Sequence, residues 1–320
     1  EYLNNHADDS FAVHGGENVF SHVDLSKVKV TLKYLCAIFK EDAAQGGKSR
    51  LSDIEFLKEE FNFYHWMPDN ETAQSIAKKS TNKRKAEMLN AIPTDKIFLT
   101  KYYTKLLAGS EHKTAEFSQA LYALPFDEAE LSMDEAALKK EKLTRYRYTR
   151  QQILTGILTT NKLAKPLVWI SEEALHDVLL QGTGVLNVEG KIRYFNVHRN
   201  NGIAYNYAIG KRAQARYWYF SEVPEIMGYG NELANKIAIK PQVSFAGNVK
   251  ELGLGKLFLV AGGKSSSFVR LGVLADQGGA FDNNLFQLDL LVDSYEGWSD
   301  YHLANKNLPD YVYAWLMLKK

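Results

Sequence analysis

The spacing of apolar residues in the first third of the chain predicts helices. Between residues 28 and 63 the apolar positions recur at helical spacing. They form two stripes: Leu32, Leu35 and Phe39, then Ile54, Leu57, Phe61 and Tyr64. Ser52 with Glu55 three residues later forms a capping-box motif for the second helix. A second such motif, completed by Gln152, opens a further helix at 149–158.

Beyond Ile97 the pattern changes to short apolar runs between turn residues, which predicts β-strands. Residues 185–188 and 192–197 flank a turn at Glu189-Gly190, which indicates a hairpin. Later runs are spaced like the strands of a small barrel. They occupy residues 257–260, 268–274, 285–292 and 311–318.

Length and charge limit the kinds of protein this chain can be. Its 320 residues exceed the usual size of one core, so we expect two domains or a large insertion. Lys+Arg 39 against Asp+Glu 38 gives no general attraction to nucleic acid, and we expect no nucleic-acid partner. The basic segment 78–85 has no interleaved aromatic residues and is interpreted as a solvated helix or loop.

No apolar run is long enough to cross a bilayer, so we expect no transmembrane segment. Residues 1–4 lack the features of a signal peptide, and an export segment removed before residue 1 stays open. The only cysteine, Cys36, falls among the apolar residues of the first helix, so we interpret it as a core thiol.

Several tempting motifs fail on spacing. Residues 262–265 (Gly-Gly-Lys-Ser) lack the earlier glycine of a phosphate loop and are interpreted as a turn. Residues 182–184 (Gly-Thr-Gly) lack the third glycine of a dinucleotide fingerprint. The eight histidines show no metal-ligand spacing. We therefore expect neither a cofactor nor a metal.

Four other segments keep a consistent order along the chain. They are 98–104 (Phe-Leu-Thr-Lys-Tyr-Tyr-Thr), 181–184 (Gln-Gly-Thr-Gly), 201–205 (Asn-Gly-Ile-Ala-Tyr) and 276–280 (Asp-Gln-Gly-Gly-Ala). In this order they resemble the membrane-bound lytic transglycosylase A family, which cleaves bacterial cell-wall peptidoglycan. The match covers roughly residues 28 to 320, with Lys101 and Thr183 in place of the usual glycine and serine.

The resemblance implies a mainly β fold with some α. A double-psi β-barrel domain would comprise 1–101 and 246–320, and a second β-rich domain at 102–245 would be inserted into it. A groove between them would bind peptidoglycan glycan strands. The chain would act as a monomer in the periplasm, and a lipid anchor to the outer membrane on a removed N-terminus stays open. The implied substrate-binding residues are Thr100, Tyr102, Tyr103, Gln181, Gly182, Thr183, Gly184, Asn201, Gly202 and Tyr205.

The resemblance also implies the reaction of a lytic murein transglycosylase, a glycan lyase. One protonated Asp would donate its proton to the glycosidic oxygen between the MurNAc and GlcNAc sugars. The resulting carboxylate would then remove a proton from the sixth-carbon hydroxyl of the same muramic sugar, leaving an anhydro end. Such an Asp must hold its proton near neutral pH, which requires apolar or like-charged surroundings.

Two aspartates compete for this role. In the family pattern the acid follows the first Asp by eleven residues, and here that position, counted from Asp276, holds Gln287. Asp289 has the right apolar neighbours if two residues are inserted at 281–284. We therefore predict Asp289 as the acid and Asp276 as its orienting partner. Two alternatives remain: Asp276 is the acid, or Asp289 is a solvent-facing strand residue.

Two other functions stay open. A non-catalytic peptidoglycan-binding or wall-loosening protein, as in expansin-like proteins, could use the same barrel. A glycan hydrolase with two carboxylates would leave a reducing end instead of an anhydro one.

Overall fold

A computed structural model describes residues 1–6, 11–263, 267–278, 281 and 283–320 of the chain. The helices are α1 Tyr2–Asn5, α2 Leu25–Gln45, α3 Ile54–Glu60, α4 Asn70–Lys79, α5 Lys83–Asn90, α6 Met133–Leu138, α7 Arg150–Leu154, α8 Ile157–Thr160, α9 Glu172–Gln181, α10 Val249–Leu252 and α11 Trp298–Asn305.

The strands are β1 Phe61–His65, β2 Ile97–Gly109, β3 Gln119–Pro125, β4 Ala164–Ile170, β5 Thr183–Val188, β6 Lys191–Asn200, β7 Trp218–Val223, β8 Ile226–Met227, β9 Ala238–Ile239, β10 Ser244–Gly247, β11 Leu257–Gly262, β12 Phe268–Gln277, β13 Gln287–Tyr295 and β14 Tyr311–Lys319. Strands therefore dominate the fold beyond residue 97, as the sequence predicts.

The chain forms two compact units. The first comprises Glu1–Tyr102, Ile239–Asp293 and Ala304–Lys320, and the second comprises Tyr103–Ala238 and Ser294–Leu303. These bounds differ from the predicted ones in three places, the first of which is Tyr102, which lies in the first unit. Residues 239–245 lie in the first unit, and residues 294–303 lie in the second.

Six strands close into a barrel in the first unit. Their order is β14, β11, β12, β10, β13 and the first part of β2. β2 returns to β14, with Phe98 opposite Tyr311 and Ile97 opposite Val312, so the ring has no open edge. Apolar side chains of alternate positions fill its interior. The prediction of a mainly β fold built on a barrel is confirmed.

The second unit is built mainly on antiparallel strands, with the second part of β2 pairing parallel to β5. β6 pairs with β5 and with β7, and β3 pairs with β4. The turn between β5 and β6 places Glu189 at φ 51° and Gly190 at φ 83°, the left-handed pair that a tight hairpin turn requires. The predicted hairpin is confirmed. A buried core that includes Leu121, Phe195 and Tyr217 packs these strands together with α9.

The first helix buries a different face from the predicted one. The buried positions of α2 are Val28, Thr31, Ile38 and Asp42. Phe39 is 69% exposed and Cys36 is exposed, so the interpretation of Cys36 as a core thiol is wrong. The apolar stripe misled because a half-buried helix also carries apolar residues on the borders of its buried face.

The second predicted helix is shorter than its apolar stripe. α3 ends at Glu60, and the residues that follow form β1, which pairs with β14. Its cap is Asp53, whose carboxylate accepts from the backbone N–H groups of Glu55 and Phe56, so the prediction of Ser52 as the cap is wrong by one residue. The capping box of Thr149 and Gln152 is confirmed.

Three smaller points complete the fold. The predicted helix at 149–158 is split into α7 and α8 at Gly156, which has φ 87°. The basic segment 78–85 lies at the end of α4 and the start of α5 with exposed cationic side chains. Of the predicted turn at 262–265, Lys264 and Ser265 lie outside the described residues. Within the described part of the chain, no helix combines the length and apolarity needed to cross a membrane.

A buried ion-pair network holds part of the second unit. Glu128 is 0% exposed and accepts from Arg145 Nε at 2.7 and 2.9 Å and from Arg199 Nη1 at 3.0 Å. Removing one partner from such a network leaves buried charge without compensation, which is strongly destabilising.

We predict that Glu128→Gln lowers the free energy of unfolding by about 3–5 kcal/mol, because two buried guanidinium groups lose their carboxylate. Denaturant titration of both variants measures the effect. The control is Glu130→Gln, since Glu130 is exposed two residues away. Equal stability of the two variants would contradict a structural role for the network.

Candidate active site

Two aspartates of the barrel lie on either side of one residue. Ala246 on β10 is opposite Asp276 on the parallel strand β12 and opposite Asp289 on the antiparallel strand β13. Residues in register across a sheet project to the same face, so both carboxyls share a face with Ala246. Two strand spacings separate them, which is roughly 10 Å between Cα atoms. The fold therefore brings together the two aspartates that the sequence singles out.

One carboxyl oxygen of Asp289 is shielded from solvent. Asp289 alternates along β13 with Leu288 and Leu290, which are both 0% exposed and project to the opposite face. Asp289 Oδ1 is buried and has no hydrogen-bond partner among the residues that the structure describes. A carboxyl oxygen in this setting is poorly solvated, which disfavours the ionised form.

Burial raises the pKa of Asp289 to about 7. The nearby charge of Asp276 raises it as well, while the Thr100 hydroxyl and the Lys101 ammonium group act in the opposite direction. Lys101 forms an ion pair with Asp310 at 2.7 Å, so its charge is partly compensated. The result is a carboxyl group that exchanges its proton near neutral pH, the property required of a general acid.

Asp276 is held differently. Its Oδ2 accepts a hydrogen bond from the Tyr102 hydroxyl at 3.1 Å, and its Oδ1 accepts from the Gln277 N–H at 2.9 Å. The pKa of Tyr102 is raised, first by burial and then by the charges of Asp276 and Asp289. Tyr102 therefore stays a hydrogen-bond donor to Asp276. Such donors stabilise a carboxylate in its charged form.

The same face carries two more polar residues of this cluster. Gln287 Nε2 donates to Thr100 Oγ1 at 2.6 Å, and Thr100 lies two positions before Tyr102 on β2. Gln287 lies two positions before Asp289 on β13, so both pairs project to one face. Sequence reasoning missed this role of Gln287. One signal in the sequence pointed to Gln287: it lies eleven residues after Asp276, at the position where the family pattern has its acid.

A second candidate site is a cavity of about 310 Å³ within the second unit. Gln181, Gly182 and Tyr205 of the predicted substrate-binding set line it. Gly182 ends α9 in the left-handed conformation at φ 78°, which brings Gln181 to the cavity wall. The sequence did not indicate the basic and aromatic residues that complete the lining. They include Arg150, His176, Lys211, Arg216 and Trp218.

The Asn201 amide is hydrogen-bonded to the backbone. It is 1% exposed, and its Nδ2 donates to the carbonyls of Tyr148 and Ala215 while its Oδ1 accepts from the Tyr217 N–H. Its side chain joins three backbone segments, and its substrate contact stays a prediction. Gly202 also has a packing role, since a Cβ there would lie 2.6 Å from the Tyr146 ring.

The remaining predicted residues lie within the second unit, outside this cavity lining. Thr183 Oγ1 accepts from Asn196 Nδ2 at 3.0 Å, and Gly184 is buried. The Tyr103 ring stacks on Tyr301 at 4.6 Å between ring centroids. These contacts are those of residues that shape the unit. The motif segment at 276–280 is described only to Gly278. Gly279 and Ala280 lie outside the described residues.

Within the part of the chain that the structure describes, no three His, Cys, Asp or Glu side chains are grouped so that they could hold a metal ion. At the aspartate pair the side chains can supply proton transfer at Asp289, and hydrogen bonding through Asp276, Tyr102, Thr100 and Gln287.

We predict that Asp289→Asn stabilises the protein at alkaline pH. The folded-state pKa of about 7 lies above the ordinary 3.8, so the stabilisation that comes from the bound proton is lost as pH rises through this interval. An amide carries no charge and avoids the loss, which should reach on the order of 2–4 kcal/mol above neutral pH.

Unfolding measured across the pH range tests this expectation. The advantage of Asp289→Asn over the parent should grow from about pH 4 to about pH 7 and then level off. Asp293→Asn is the control, because Asp293 is an exposed aspartate on the same strand. A constant difference between the parent and Asp289→Asn at all pH values would contradict a raised pKa.

Part of the chain is similar in sequence to a known protein family. Residues 98–217 match a protein-family model described as the MltA specific insert domain. None of the curated proteins searched matches the chain.

Solved structures give a likeness over nearly the whole chain. The membrane-bound lytic murein transglycosylase from Agrobacterium tumefaciens is 14% identical, with a TM-score of 0.57, and covers 99% of this chain and 90% of its own. The lytic transglycosylase LtgG of Burkholderia pseudomallei is 17% identical, with coverage of 98% and 92% and a TM-score of 0.48. MltA from Escherichia coli with bound chitohexaose is 13% identical, with coverage of 81% and 94% and a TM-score of 0.47.

Only the first of these likenesses exceeds a TM-score of 0.5, and it establishes the fold. The barrel with its second β-rich unit is thus a fold that a lytic murein transglycosylase adopts. The chain is therefore similar to the MltA family in sequence over residues 98–217 and in fold over nearly its whole length. The resemblance inferred from the sequence is confirmed.

Proposed function

We propose that this chain is a peptidoglycan lytic transglycosylase that cleaves the bond between MurNAc and GlcNAc and leaves an anhydromuramic end. The observation that carries the proposal is the Asp289 carboxyl, with Oδ1 unpartnered and a pKa raised to about 7. The insert domain and the fold shared with a lytic murein transglycosylase support the same reaction class. The enzyme is accordingly a glycan lyase.

In the proposed mechanism Asp289 acts twice. Protonated Asp289 donates its proton to the glycosidic oxygen, and the bond from that oxygen to the muramic anomeric carbon breaks with its electron pair going to the oxygen. The Asp289 carboxylate then removes the proton of the sixth-carbon hydroxyl, whose oxygen bonds to the anomeric carbon. The carboxyl ends the cycle protonated, and water is not consumed.

Asp276 is a positioning residue in this scheme. Its two hydrogen bonds fix a negative charge near Asp289, and that charge helps Asp289 to keep its proton. The same charge also favours the positively charged, oxocarbenium-like sugar that forms as the glycosidic bond breaks. Tyr102 supports the arrangement because its hydroxyl donates to Asp276.

The non-catalytic binding protein and the two-carboxylate hydrolase are distinguished by products. Wild-type protein is incubated with purified sacculi, and the released fragments are measured by mass. We expect anhydromuramic ends. Reducing ends would select the hydrolase, and no fragments at all would select the binding protein.

We predict that Asp289→Asn lowers the cleavage rate by about a hundred- to ten-thousandfold, because the amide cannot deliver a proton. Binding to sacculi should stay unchanged, since the volume of the side chain is kept. The matched control is Asp293→Asn on the same strand. A rate for Asp289→Asn close to that of the parent, or an equal loss in the control, contradicts the assignment.

The pH dependence of cleavage follows from the same pKa. Asp289 is the acid and is protonated below about pH 7, so the rate should fall about tenfold for each pH unit above that value. Initial rates on sacculi between mildly acidic and alkaline pH measure this limb. Activity that rises through the same interval would instead indicate that the ionised carboxylate starts the reaction.

Tyr205→Ala is expected to weaken glycan binding by about three- to tenfold, because an aromatic face that stacks on a pyranose ring is lost. Its thermal midpoint should stay within a few degrees of the parent value, since Tyr205 is only half-buried. Tyr207→Ala serves as control: Tyr207 is 93% exposed and does not line the cavity. Collapse of folding in Tyr205→Ala would show a purely structural residue.

Peptidoglycan lies outside the cytoplasmic membrane, so the proposed substrate places the protein in the periplasm. An outer-membrane anchor on a segment before residue 1 and a monomeric state are parts of the same proposal. Fractionation of cells that produce the full-length protein, followed by gel filtration of the extracted protein, tests both.

A further inference from the structure

The cavity of the second unit combines features that a neutral sugar chain does not need. Its lining includes two arginines, Arg150 and Arg216, beside the aromatic residues Tyr205 and Trp218. Aromatic faces and amides are sufficient to bind uncharged sugars. Guanidinium groups in a cavity indicate a ligand that also carries negative charge.

Arg216 is available for such a ligand. Its guanidinium carbon lies 4.6 Å from the centroid of the Trp218 ring, and this contact restrains the group. Its Nε is buried without a hydrogen-bond partner, and its guanidinium makes no ion pair with any residue in the described ranges. A restrained, unpaired guanidinium is ready to form paired hydrogen bonds with a carboxylate, because few degrees of freedom remain to be ordered.

Arg150 adds a second positive charge. It is 4% exposed, and its Nε and Nη1 donate to the backbone carbonyls of Arg216 and Lys211 at 2.8 Å each. These bonds orient the group without neutralising it, and no acidic residue of the described part pairs with it. Burial lowers the pKa of Arg150, which is the electrostatic cost of this unpaired charge.

Other charges around the cavity do not cancel this excess. Asp177 is shared between Lys105 at 2.5 Å and Lys211 at 3.3 Å, so one carboxylate serves two ammonium groups. The pKa of His176 is lowered by burial and then by Arg150, while Glu172, whose Oε1 lies 3.6 Å from His176 Nε2, acts in the opposite direction. The local field at the cavity is therefore positive, although the whole chain carries a net charge of only +1.

We propose that this cavity binds the carboxylate carried by a muramic sugar, with Arg216 as its direct partner. This inference rests on the proposed function, since it identifies the charged part of the same substrate. The glucosamine sugars of the strand are neutral, whereas the muramic sugar bears a lactyl acid or a peptide attached to it. A cavity of about 310 Å³ has room for one such sugar with a short substituent.

The test compares small ligands that contain no bond for the enzyme to cleave. N-acetylmuramoyl-L-alanyl-D-isoglutamine is titrated into the protein by calorimetry, alongside its C-terminal amide, which lacks the carboxylate. The acid should bind at least about tenfold more tightly than the amide to the parent protein. Arg216→Gln should remove that preference and leave the affinity for the amide unchanged.

Three controls make the result specific. Arg212→Gln alters a neighbouring arginine that is paired with Glu173 at 2.8 Å and does not line the cavity, so the preference should persist. Arg216→Lys keeps the charge but loses the planar fork, and an intermediate preference is expected. A thermal midpoint of Arg216→Gln close to that of the parent excludes misfolding as the cause.

A third ligand distinguishes the two possible sources of the carboxylate, the lactyl acid and the stem peptide. N-acetylmuramic acid carries only the lactyl acid. Binding of this sugar that depends on Arg216 points to peptide-free strands, and dependence only for the dipeptide ligand points to the stem peptide. Either result supports a carboxylate site.

The proposal is overturned if neither the dipeptide acid nor N-acetylmuramic acid binds the parent protein at about 10 mM, or if the binding of both survives unchanged in Arg216→Gln. Failure of the proposed function has a separate signature. Sacculi would then yield no anhydromuramic fragments, while the preference for the acid would persist because these ligands are bound without being cleaved.

Discussion

A carboxyl group on a closed barrel, with one oxygen shielded from water, is the constraint on which the rest of the site depends. Asp289 occupies a strand position whose neighbours Leu288 and Leu290 are fully buried on the opposite face, and its Oδ1 is buried without a partner. Ionising such a group costs free energy, and its pKa rises to about 7 as a result. A weakly stabilised carboxyl of this kind reduces stability at neutral pH, which is typical of residues kept for chemistry.

The barrel fixes the positions of the two aspartates relative to each other. β10 lies between the strands that carry the two aspartates, and Ala246 is the only residue between them in the sheet register. The small side chain of Ala246 is itself buried. The two carboxyl groups differ in their hydrogen bonds: Asp276 accepts two, whereas Asp289 Oδ1 accepts none. Different environments for two carboxyls allow one to hold a proton while the other stays charged.

Sequence reasoning identified much of the fold because its signals are local. The hairpin at Glu189-Gly190, the late strands and the Thr149 cap each depend on residues adjacent in the chain. The helix register around Cys36 could not be read the same way, because the face of α2 that is buried depends on what packs against it. The same holds for Phe61, whose apolar spacing fits a helix although it pairs with Lys319 in β14.

The site shows a similar division. The order of the motifs was enough to single out Asp289, Asp276 and Tyr102, which the fold brings together from β13, β12 and β2. The order of the motifs could not show that the Asn201 amide is hydrogen-bonded to the backbone. A sequence does not distinguish an asparagine that binds a ligand from one that holds the fold together. Nor could it show the cavity arginines, because Arg150 and Arg216 are sixty-six residues apart and meet only through the fold.

The most direct test of this account is the pKa of Asp289 itself. Carbon-13 NMR of the side-chain carboxyl, with the resonance assigned by its absence in Asp289→Asn, follows the titration without reference to substrate. The account predicts a midpoint near pH 7. A midpoint near the ordinary value of 3.8 would contradict it, because the carboxyl would then have no proton to donate at neutral pH.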